Sequence, residues 1–406
     1  MRNSSALRSR PEQRKREGQI PEVKSIVRGI GTMDHTILLV TIILTLCGIM
    51  MVFSASYLIT GRSARFDNNP FYYLTRHSMI AVVGFIAMWI TSSPKFNYKY
   101  LKRLAMPLYL TSIGLLVLTV VVGIASHGSR RWLPIPGIGM QFQPSEIAKV
   151  ALILVLARLL SKNRRILDTL PGFLFCGALV GIMAVFVALG NLSTAIIIAV
   201  IGGGMIFMAS PHIWRFVAMG GAGVAGMLGY LYFMAYHAAG TEIGGQFRGG
   251  RFRAWQDPFE YMQGYGFQIV QSLYAIASGG LFGLGIGQSR QKTFLPEVHN
   301  DVIFSVIAEE LGFVGAGIIL LLFGVLIWRG LRIAMNATDS FGALVAIGII
   351  LMIASQVIIN VAVVTNSIPN TGIPMPFISY GGTALVVCMG CMGILLNISR
   401  YSKVDG

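Results

Sequence analysis

The sequence has few charged residues for its length. Only 12% of its 406 residues are Asp, Glu, Lys or Arg, and 54% are hydrophobic, whereas an average soluble domain has about 25% charged residues. Cysteine is also scarce, because the chain has four, Cys47, Cys176, Cys388 and Cys391, all within apolar runs. We therefore predict neither disulfides nor a cysteine metal site. The CxxC pair Cys388 and Cys391 is expected to pack inside a helix.

Sequence motifs for nucleotide chemistry are missing as well. The chain has no Walker loop, no HExxH and no Asp-x-Asp pair, so neither ATP nor a nucleotide-linked sugar has a recognisable site. A transferase here would need a donor that already lies in the membrane and carries its own leaving group. The alternating glycines from Gly283 to Gly287 do not open a strand-helix unit, and we expect them to pack a short outer helix closely.

Long apolar runs dominate the remaining sequence. Each is about 17–25 residues long, enough for a helix to cross a hydrocarbon layer about 30 Å thick. The sequence therefore predicts an all-α fold, a polytopic membrane protein of about ten transmembrane helices. The predicted spans are 37–56, 78–93, 104–124, 145–160, 170–189, 194–209, 216–236, 302–327, 341–364 and 383–398.

Basic residues predict the orientation of these spans. With the N-terminus inside, the inner segments hold 21 Lys and Arg and the short outer loops hold five, and an excess of Lys and Arg marks the cytoplasmic side. The net charge of +16 thus reflects orientation, and we expect no nucleic-acid partner. Residues 1–33 are predicted to form a basic cytoplasmic tail, 34–400 a single transmembrane domain with a long extracytoplasmic loop at 237–301 between the seventh and eighth spans, and 401–406 a second cytoplasmic tail.

Four ionisable residues fall inside predicted spans, where a charge is costly and by default faces a cavity or a partner. Glu146 and Lys149 are three residues apart, so they share a helix face and can form an ion pair. Glu309 and Glu310 are expected about 12 Å down the eighth span from Asp301. They either line the same cavity as Asp301 or pair with a cation from another span.

Asp301 lies where the long loop meets the eighth span. A carboxylate at that boundary can stay ionised while it faces a low-dielectric cavity, which suits a general base. The alternative is an N-cap for a helix that begins at Val302, a position that Asp favours. His299 nearby is more often a hydrogen-bonding loop residue than a catalyst.

Motifs spread over residues 33–400 resemble those of the shape, elongation, division and sporulation family, and most of all its cell-division and spore-cortex members. They are Met51-Val52-Phe53-Ser54-Ala55-Ser56, Arg131-Trp132, Gln143-Pro144-Ser145-Glu146 with Lys149, Asp257-Pro258-Phe259, Gly264-Tyr265-Gly266 with Gln268, Gln291-Lys292, Leu295-Pro296-Glu297 with His299 and Asp301, Glu309-Glu310-Leu311-Gly312, Asn360, Pro369-Asn370-Thr371-Gly372 and Ser379-Tyr380-Gly381-Gly382-Thr383. One departure is Gly190-Asn191-Leu192-Ser193-Thr194, where many members carry a carboxylate.

The resemblance implies a peptidoglycan glycosyltransferase that polymerises lipid II on the outer face of the bacterial plasma membrane. Its implied partners are a class B penicillin-binding protein that acts as transpeptidase, and other divisome or elongasome membrane proteins. The implied catalytic carboxylate is Asp301, and a divalent cation, Mg2+ or Mn2+, is a candidate cofactor without any nucleotide. A lipid II flippase and a non-catalytic scaffold for the transpeptidase are the alternative functions.

The mechanism implied by the resemblance has Asp301 accept the proton of a sugar hydroxyl as polyprenyl pyrophosphate departs. The departing charge needs cationic partners. The candidate substrate-binding residues are Arg131, Glu146, Lys149, Arg251, Arg253, Lys292, Glu297, His299, Glu309, Glu310, Ser379 and Tyr380.

Overall fold

The computed structural model describes residues 33–126, 129–134, 141–210, 245–264, 266–295 and 298–402, with isolated positions between 212 and 229. These residues are overwhelmingly helical, as the sequence predicts. The helices are α1 (His35–Gly61), α2 (Tyr72–Ser92), α3 (Leu101–Val122), α4 (Pro144–Lys162), α5 (Leu170–Gly190), α6 (Leu192–Ala209), α7 (Gly245–Gln256), α8 (Phe267–Gly279), α9 (Ile303–Asn336), α10 (Ser340–Val364) and α11 (Gly382–Arg400).

Three short strands connect α3 to α4. They are β1 (Ile124–Ser126), β2 (Ser129–Pro134) and β3 (Gln141–Phe142), and they form an antiparallel sheet in the order β1-β2-β3. The sequence analysis predicted no strands, so this small sheet is an addition to the predicted fold. It carries Arg131 on β2.

Eight of the described helices, α1, α2, α3, α5, α6, α9, α10 and α11, are long and apolar enough to cross a membrane. The prediction of a multispanning helical membrane protein is therefore confirmed. The predicted seventh span (216–236) and nearly all of the tail at 1–33 lie outside the described residues, and the count of ten spans stays a prediction.

Helix α4 is not among the eight, because Glu146, Lys149 and Arg158 fall within its length. It is nevertheless a central helix, since 13 of its 19 residues are buried, and it packs against α3, α6 and α10. Charged groups in such a helix face protein instead of lipid. The exposed apolar side chains of the outer helices, such as Trp89 on α2 at 75% exposure and Val121 on α3 at 66%, are those that would face lipid.

Both ends of the membrane domain meet at one face of the bundle. The backbone N–H of Asp34 donates to the Ser399 hydroxyl at 3.1 Å, and the Asp34 carboxylate forms an ion pair with Arg329 at 2.9 Å. We call this end the terminal face and the opposite end the loop face. The shared face agrees with the predicted placement of both tails on one side of the membrane.

Helix α9 bends sharply at Gly312, whose φ of 70° and ψ of −174° are not helical. Gly312 lies about 26 Å from the terminal face, as measured along α9 from Arg329. Glu310 lies at a similar distance, because it contacts Ser54, which is about 30 Å along α1 from Asp34. Asn360 on α10 holds Asp301 at a similar height.

The first part of α9, residues 303–311, consequently runs across the loop face. The expectation that Glu309 and Glu310 lie 12 Å deeper than Asp301 was wrong, because it assumed a straight helix. Residues 303–310 are all buried, so this crosswise segment is enclosed by protein.

The backbone groups that the bend releases from α9 are satisfied by the glycine-rich segment. Leu284 and Gly285 donate their N–H groups to the carbonyls of Glu309 and Glu310 at 2.9 and 3.0 Å. Phe313 and Val314 donate to the carbonyls of 280 and 281 at 2.9 and 3.1 Å. A broken helix at this depth needs such partners.

Gly283 permits this close approach. A Cβ there would lie 2.2 Å from the carbonyl oxygen of Glu310, and its φ is +80°. Close packing is confirmed, whereas the predicted short outer helix is wrong, because residues 283–290 form turns and bends without a helix.

Candidate functional site

Asp301 lies at the loop face just before α9. The helix begins at Ile303 with Val302 as its N-cap and has no side-chain capping bond, so the alternative reading of Asp301 as an N-cap was wrong. The backbone carbonyl of Asp301 accepts a hydrogen bond from Asn360 Nδ2 at 2.7 Å, and the same amide donates to the Ile373 carbonyl at 2.8 Å. Asn360 thus ties Asp301 to the segment between α10 and α11.

Amide groups surround the Asp301 carboxylate, which is half-buried. Gln268 on α8 donates through Nε2 to Oδ1 at 3.4 Å, and its Oε1 accepts from Asn370 Nδ2 at 2.8 Å. Gly372 approaches from the other side, since a Cβ there would lie 3.2 Å from Oδ2. With φ of +61° at Gly372, any side chain would be both strained and crowded against the carboxylate.

Two arginines, Arg131 and Arg251, lie in the region of this carboxylate. Burial lowers the pKa of Arg131 from its ordinary value, and the negative charge of Asp301 opposes that shift. The two side chains are therefore close enough to interact electrostatically. Arg251 on α7 donates through Nη1 to the Asn370 carbonyl at 3.4 Å. Arg253, two residues further, is exposed. Of the three arginines proposed as pyrophosphate partners, the structure brings Arg131 and Arg251 to the Asp301 region.

Glu146 and Lys149 form the ion pair that their spacing predicts. Their side chains are 8% and 1% exposed and the charged atoms are 2.9 Å apart. Glu146 also lines a small cavity of about 20 Å³ with Gln356, Ser379 and Cys388. Cys388 is buried in α11 and is a free thiol, so the pair sits among packed side chains next to the segment that carries Ser379.

Glu309 and Glu310 form a separate cluster. Glu310 accepts hydrogen bonds from Ser54 at 2.6 Å and pairs with Lys292 Nζ at 3.3 Å, with the Lys292 and Glu310 side chains 1% and 0% exposed. Glu309 accepts from the Ser278 hydroxyl at 3.2 Å and from the backbone N–H of 290 at 2.9 Å. Of the two readings left open, Glu310 does pair with a cation, but that cation, Lys292, comes from the long loop segment and not, as predicted, from another span.

The ammonium group of Lys292 has several protein partners in this arrangement. It also donates to the Gly287 carbonyl at 2.6 Å and lies 4.7 Å from the Tyr57 ring centroid. The structure therefore places Lys292 in the cluster around Glu310.

The other predicted residues are placed as follows. His299 and Tyr380 meet through the Tyr380 N–H, which donates to the His299 carbonyl at 2.8 Å. The Ser379 hydroxyl accepts from the Met375 N–H at 2.7 Å, so it holds a turn. Burial, with a smaller contribution from His77, lowers the pKa of His299 to about 4, which keeps it neutral at physiological pH. Glu297 lies outside the described residues.

Sequence reasoning assigned no role to Gln268, Asn360 or Asn370, although each belongs to a quoted motif. Asn360 carried the clearest signal, because an amide in an otherwise apolar span is expected to have a specific partner. Gln268 and Asn370 lie in loops or short helices, where composition alone gives no such signal. Together these amides position a carboxylate that can accept a proton next to an arginine.

The sequence is similar to well-described proteins along nearly its whole length. The family model described as cell cycle protein, of the FtsW, RodA and SpoVE type, matches residues 34–404. Stage V sporulation protein E of Bacillus subtilis is 40% identical over 375 residues, covering 91% of this chain and 98% of that protein. The probable peptidoglycan glycosyltransferase FtsW of Geobacter sp. is 36% identical over 382 residues, covering 93% and 99%.

Solved structures share the fold. A chain from a peptidoglycan synthase complex, studied for the coordination of polymerization and crosslinking, has a TM-score of 0.73 and 25% identity, covering 92% of this chain and 99% of that chain. The rod shape determining protein RodA of Thermus thermophilus has a TM-score of 0.65 and 24% identity, covering 92% and 98%. At that identity the RodA match supports the fold alone.

Proposed function

We propose that this chain, which belongs to the FtsW, RodA and SpoVE family of cell cycle proteins, is a peptidoglycan glycosyltransferase that polymerises lipid II into glycan strands during cell division or sporulation. The names of its relatives support the activity. The observation that carries the proposal is the half-buried Asp301 at the loop face, whose backbone carbonyl is held by Asn360 and whose carboxylate is held by Gln268 and interacts with the charge of Arg131.

In the proposed reaction, Asp301 accepts the proton of the attacking sugar hydroxyl. The hydroxyl oxygen forms a bond to the anomeric carbon of the growing strand, and the bond from that carbon to the polyprenyl pyrophosphate breaks. A positioned carboxylate base contributes about 10²–10⁴ in rate. The Gln268 amide orients the carboxylate, and the lack of a side chain at Gly372 keeps the space beside Oδ2 open.

The leaving pyrophosphate needs positive charge. Arg131 and Arg251 are the proposed partners, because both lie around the amides that hold Asp301. A divalent cation such as Mg2+ or Mn2+, bound by substrate phosphates and one carboxylate, would neutralise the same charge. Asp301 fits as that single carboxylate, and among the described residues no group of three or more His, Cys, Asp or Glu is placed to hold a metal ion by itself.

The loop face is proposed to face outward, because the basic tails mark the terminal face as cytoplasmic. A class B penicillin-binding protein is the proposed partner transpeptidase, and the fold shared with a chain of a peptidoglycan synthase complex supports such an assembly. Other divisome or elongasome membrane proteins complete the proposed setting.

The test is lipid II polymerisation by the purified full-length chain with its transpeptidase. We expect Asp301→Asn to lower the rate about 100-fold or more, while the exposed Glu260→Gln leaves it unchanged. Asp301→Asn should also fail to support growth. If Asp301→Asn polymerises at the wild-type rate, Asp301 is not the general base. If the chain instead moves labelled lipid II across liposomes and Asp301→Asn moves it equally well, a flippase is the better conclusion. Growth supported by Asp301→Ala would favour a scaffold.

A further inference from the structure

A cavity of about 580 Å³ opens at the loop face between α1, α2 and the turn that precedes Asp301. Its lining includes Tyr72, Tyr73, Arg76, His299 and Tyr380, and we call it the tyrosine cavity. The volume is in the range of small-ligand sites, about 300–1,000 Å³. Asp301 is not among its described lining residues, so this space is distinct from the carboxylate's own surroundings.

Aromatic rings form one wall of the tyrosine cavity. The ring centroids of Tyr73 and His299 are 4.1 Å apart, those of Tyr73 and Tyr380 are 4.9 Å apart, and those of His299 and Tyr380 are 5.5 Å apart. Such a rigid cluster offers flat apolar faces with polar edges. The apolar face of a sugar ring fits against a surface of that kind, and its hydroxyls can reach the polar edges.

Positive charge lies at the same wall. The Arg76 guanidinium lies 4.9 Å from the Tyr72 ring centroid. Burial raises the pKa of Tyr380, and the positive charge of Arg76 opposes that rise. Arg76 is therefore close enough to interact electrostatically with Tyr380, which lines the cavity. None of the described lining residues is acidic. The planar guanidinium of an arginine is suited to a phosphate.

Two histidines beside this wall have unsatisfied nitrogens. Nδ1 of His299 and both ring nitrogens of His77 are buried without a hydrogen-bond partner in the described part of the chain, and His77 packs 5.7 Å from Tyr380. Buried polar atoms without partners are rare in folded proteins and call for an explanation. These nitrogens are themselves buried, so the groups that face a ligand in the cavity are the tyrosines and Arg76.

We infer that the tyrosine cavity binds the saccharide phosphate headgroup of a second lipid-linked substrate, with the tyrosines against the sugar and Arg76 on the phosphate. This inference rests on the proposed function, because a polymerase that joins two lipid-linked saccharides has to hold both at once. The turn at 298–300 lines the cavity and leads directly into Asp301. Two headgroups on either side of that turn would meet next to the carboxylate.

The test measures binding of a soluble lipid II analogue with a short prenyl chain to the full-length chain carrying Asp301→Asn, which removes turnover. Adding Arg76→Ala should weaken binding about tenfold to hundredfold, because a charge-assisted contact is lost. Thr293→Trp, at the exposed rim of the cavity, should weaken it similarly by filling the space. Arg62→Ala, an exposed arginine at the end of α1 outside the lining, is the matched control.

A second arm identifies the chemistry. The same short prenyl pyrophosphate without its saccharide should compete poorly with the analogue, and equal competition would overturn the saccharide assignment. Thermal unfolding checks that each variant is folded. If the wild-type chain does not polymerise lipid II, the proposed function fails, and if Asp301→Asn polymerises normally, the assignment of Asp301 as the base fails. If Asp301→Asn is inactive but both folded cavity variants bind the analogue like the control, the tyrosine cavity inference fails alone.

Discussion

Two acidic regions lie close together on the loop face, and their surroundings differ in kind. The Asp301 carboxylate is half-buried and accepts a hydrogen bond from the Gln268 amide at 3.4 Å. Glu309 and Glu310, at 0% and 1% exposure, accept bonds from serines, backbone N–H groups and Lys292. One carboxylate is half-buried at the loop face beside a segment that could admit a substrate, and the other two are fully buried and hold the structure together.

The degree of burial distinguishes the proposed catalytic carboxylate from the carboxylates that stabilise the fold. Both regions bring carboxylates together with cationic side chains, and both lie at about the same distance from the terminal face. The Glu309 and Glu310 cluster fastens the glycine-rich segment to the bend of α9. That fastening supports the crosswise segment 303–310, which begins two residues after Asp301.

The largest expected effect on stability comes from Lys292→Met. It leaves the Glu310 carboxylate buried without its cation, and breaking a buried pair in this way costs about 3–5 kcal/mol. Thermal unfolding in detergent should show a large drop that the double variant Lys292→Met with Glu310→Leu partly reverses. Lys99→Met is the control, because Lys99 pairs with Asp339 at the surface with 56% exposure. An equal loss in the control would contradict the assignment.

Gly283→Ala should destabilise the bend next most strongly. The added Cβ meets the Glu310 carbonyl and the Gly312 nitrogen at 2.2 and 2.6 Å, so overpacking of about 1–3 kcal/mol adds to the cost of a left-handed φ, about 1–2 kcal/mol. Gly287→Ala is matched, since its φ is +83° with no atom within 4 Å. Similar unfolding temperatures for both variants would show that close approach is unimportant there.

Asn360→Leu tests whether the Asn360 side chain positions Asp301. It removes both hydrogen bonds that tie Asp301 to the Ile373 segment, so we expect the polymerisation kcat to fall about tenfold to hundredfold through misplacement of the carboxylate, with a smaller change in KM. Asn336→Leu, at the opposite end of the bundle, is the control. A pure loss of folded protein with normal kcat per folded molecule would deny Asn360 a positioning role.

The smallest expected effect is the pH dependence contributed by His299. Its pKa of about 4 in the folded chain lies below the ordinary value of about 6.5. Between those values the unfolded chain binds the extra proton, so stability is full above about pH 6.5 and falls as the pH is lowered toward 4. Unfolding temperatures of His299→Gln should depend less on pH in this window, whereas the exposed His35→Gln should follow the wild type.

Sequence reasoning went far where periodic hydrophobicity and spacing decide the structure. The described spans and the Glu146 and Lys149 pair follow from apolar run length and an i,i+3 spacing. The bend at Gly312 did not follow, because its cause is a partner segment about 30 residues away that satisfies the broken backbone. The same holds for the amides around Asp301, which come from α8, α10 and the segment after α10, and for the small sheet that carries Arg131.

The most direct test compares Asp301→Asn with Glu310→Gln in one polymerisation assay, with each rate divided by the fraction of folded protein. We expect Asp301→Asn to unfold near the wild-type temperature and to be inactive. Glu310→Gln should unfold at a lower temperature, yet each folded molecule should keep most of its activity. An active Asp301→Asn beside a stable but inactive Glu310→Gln would contradict the account and move the chemistry to the buried cluster.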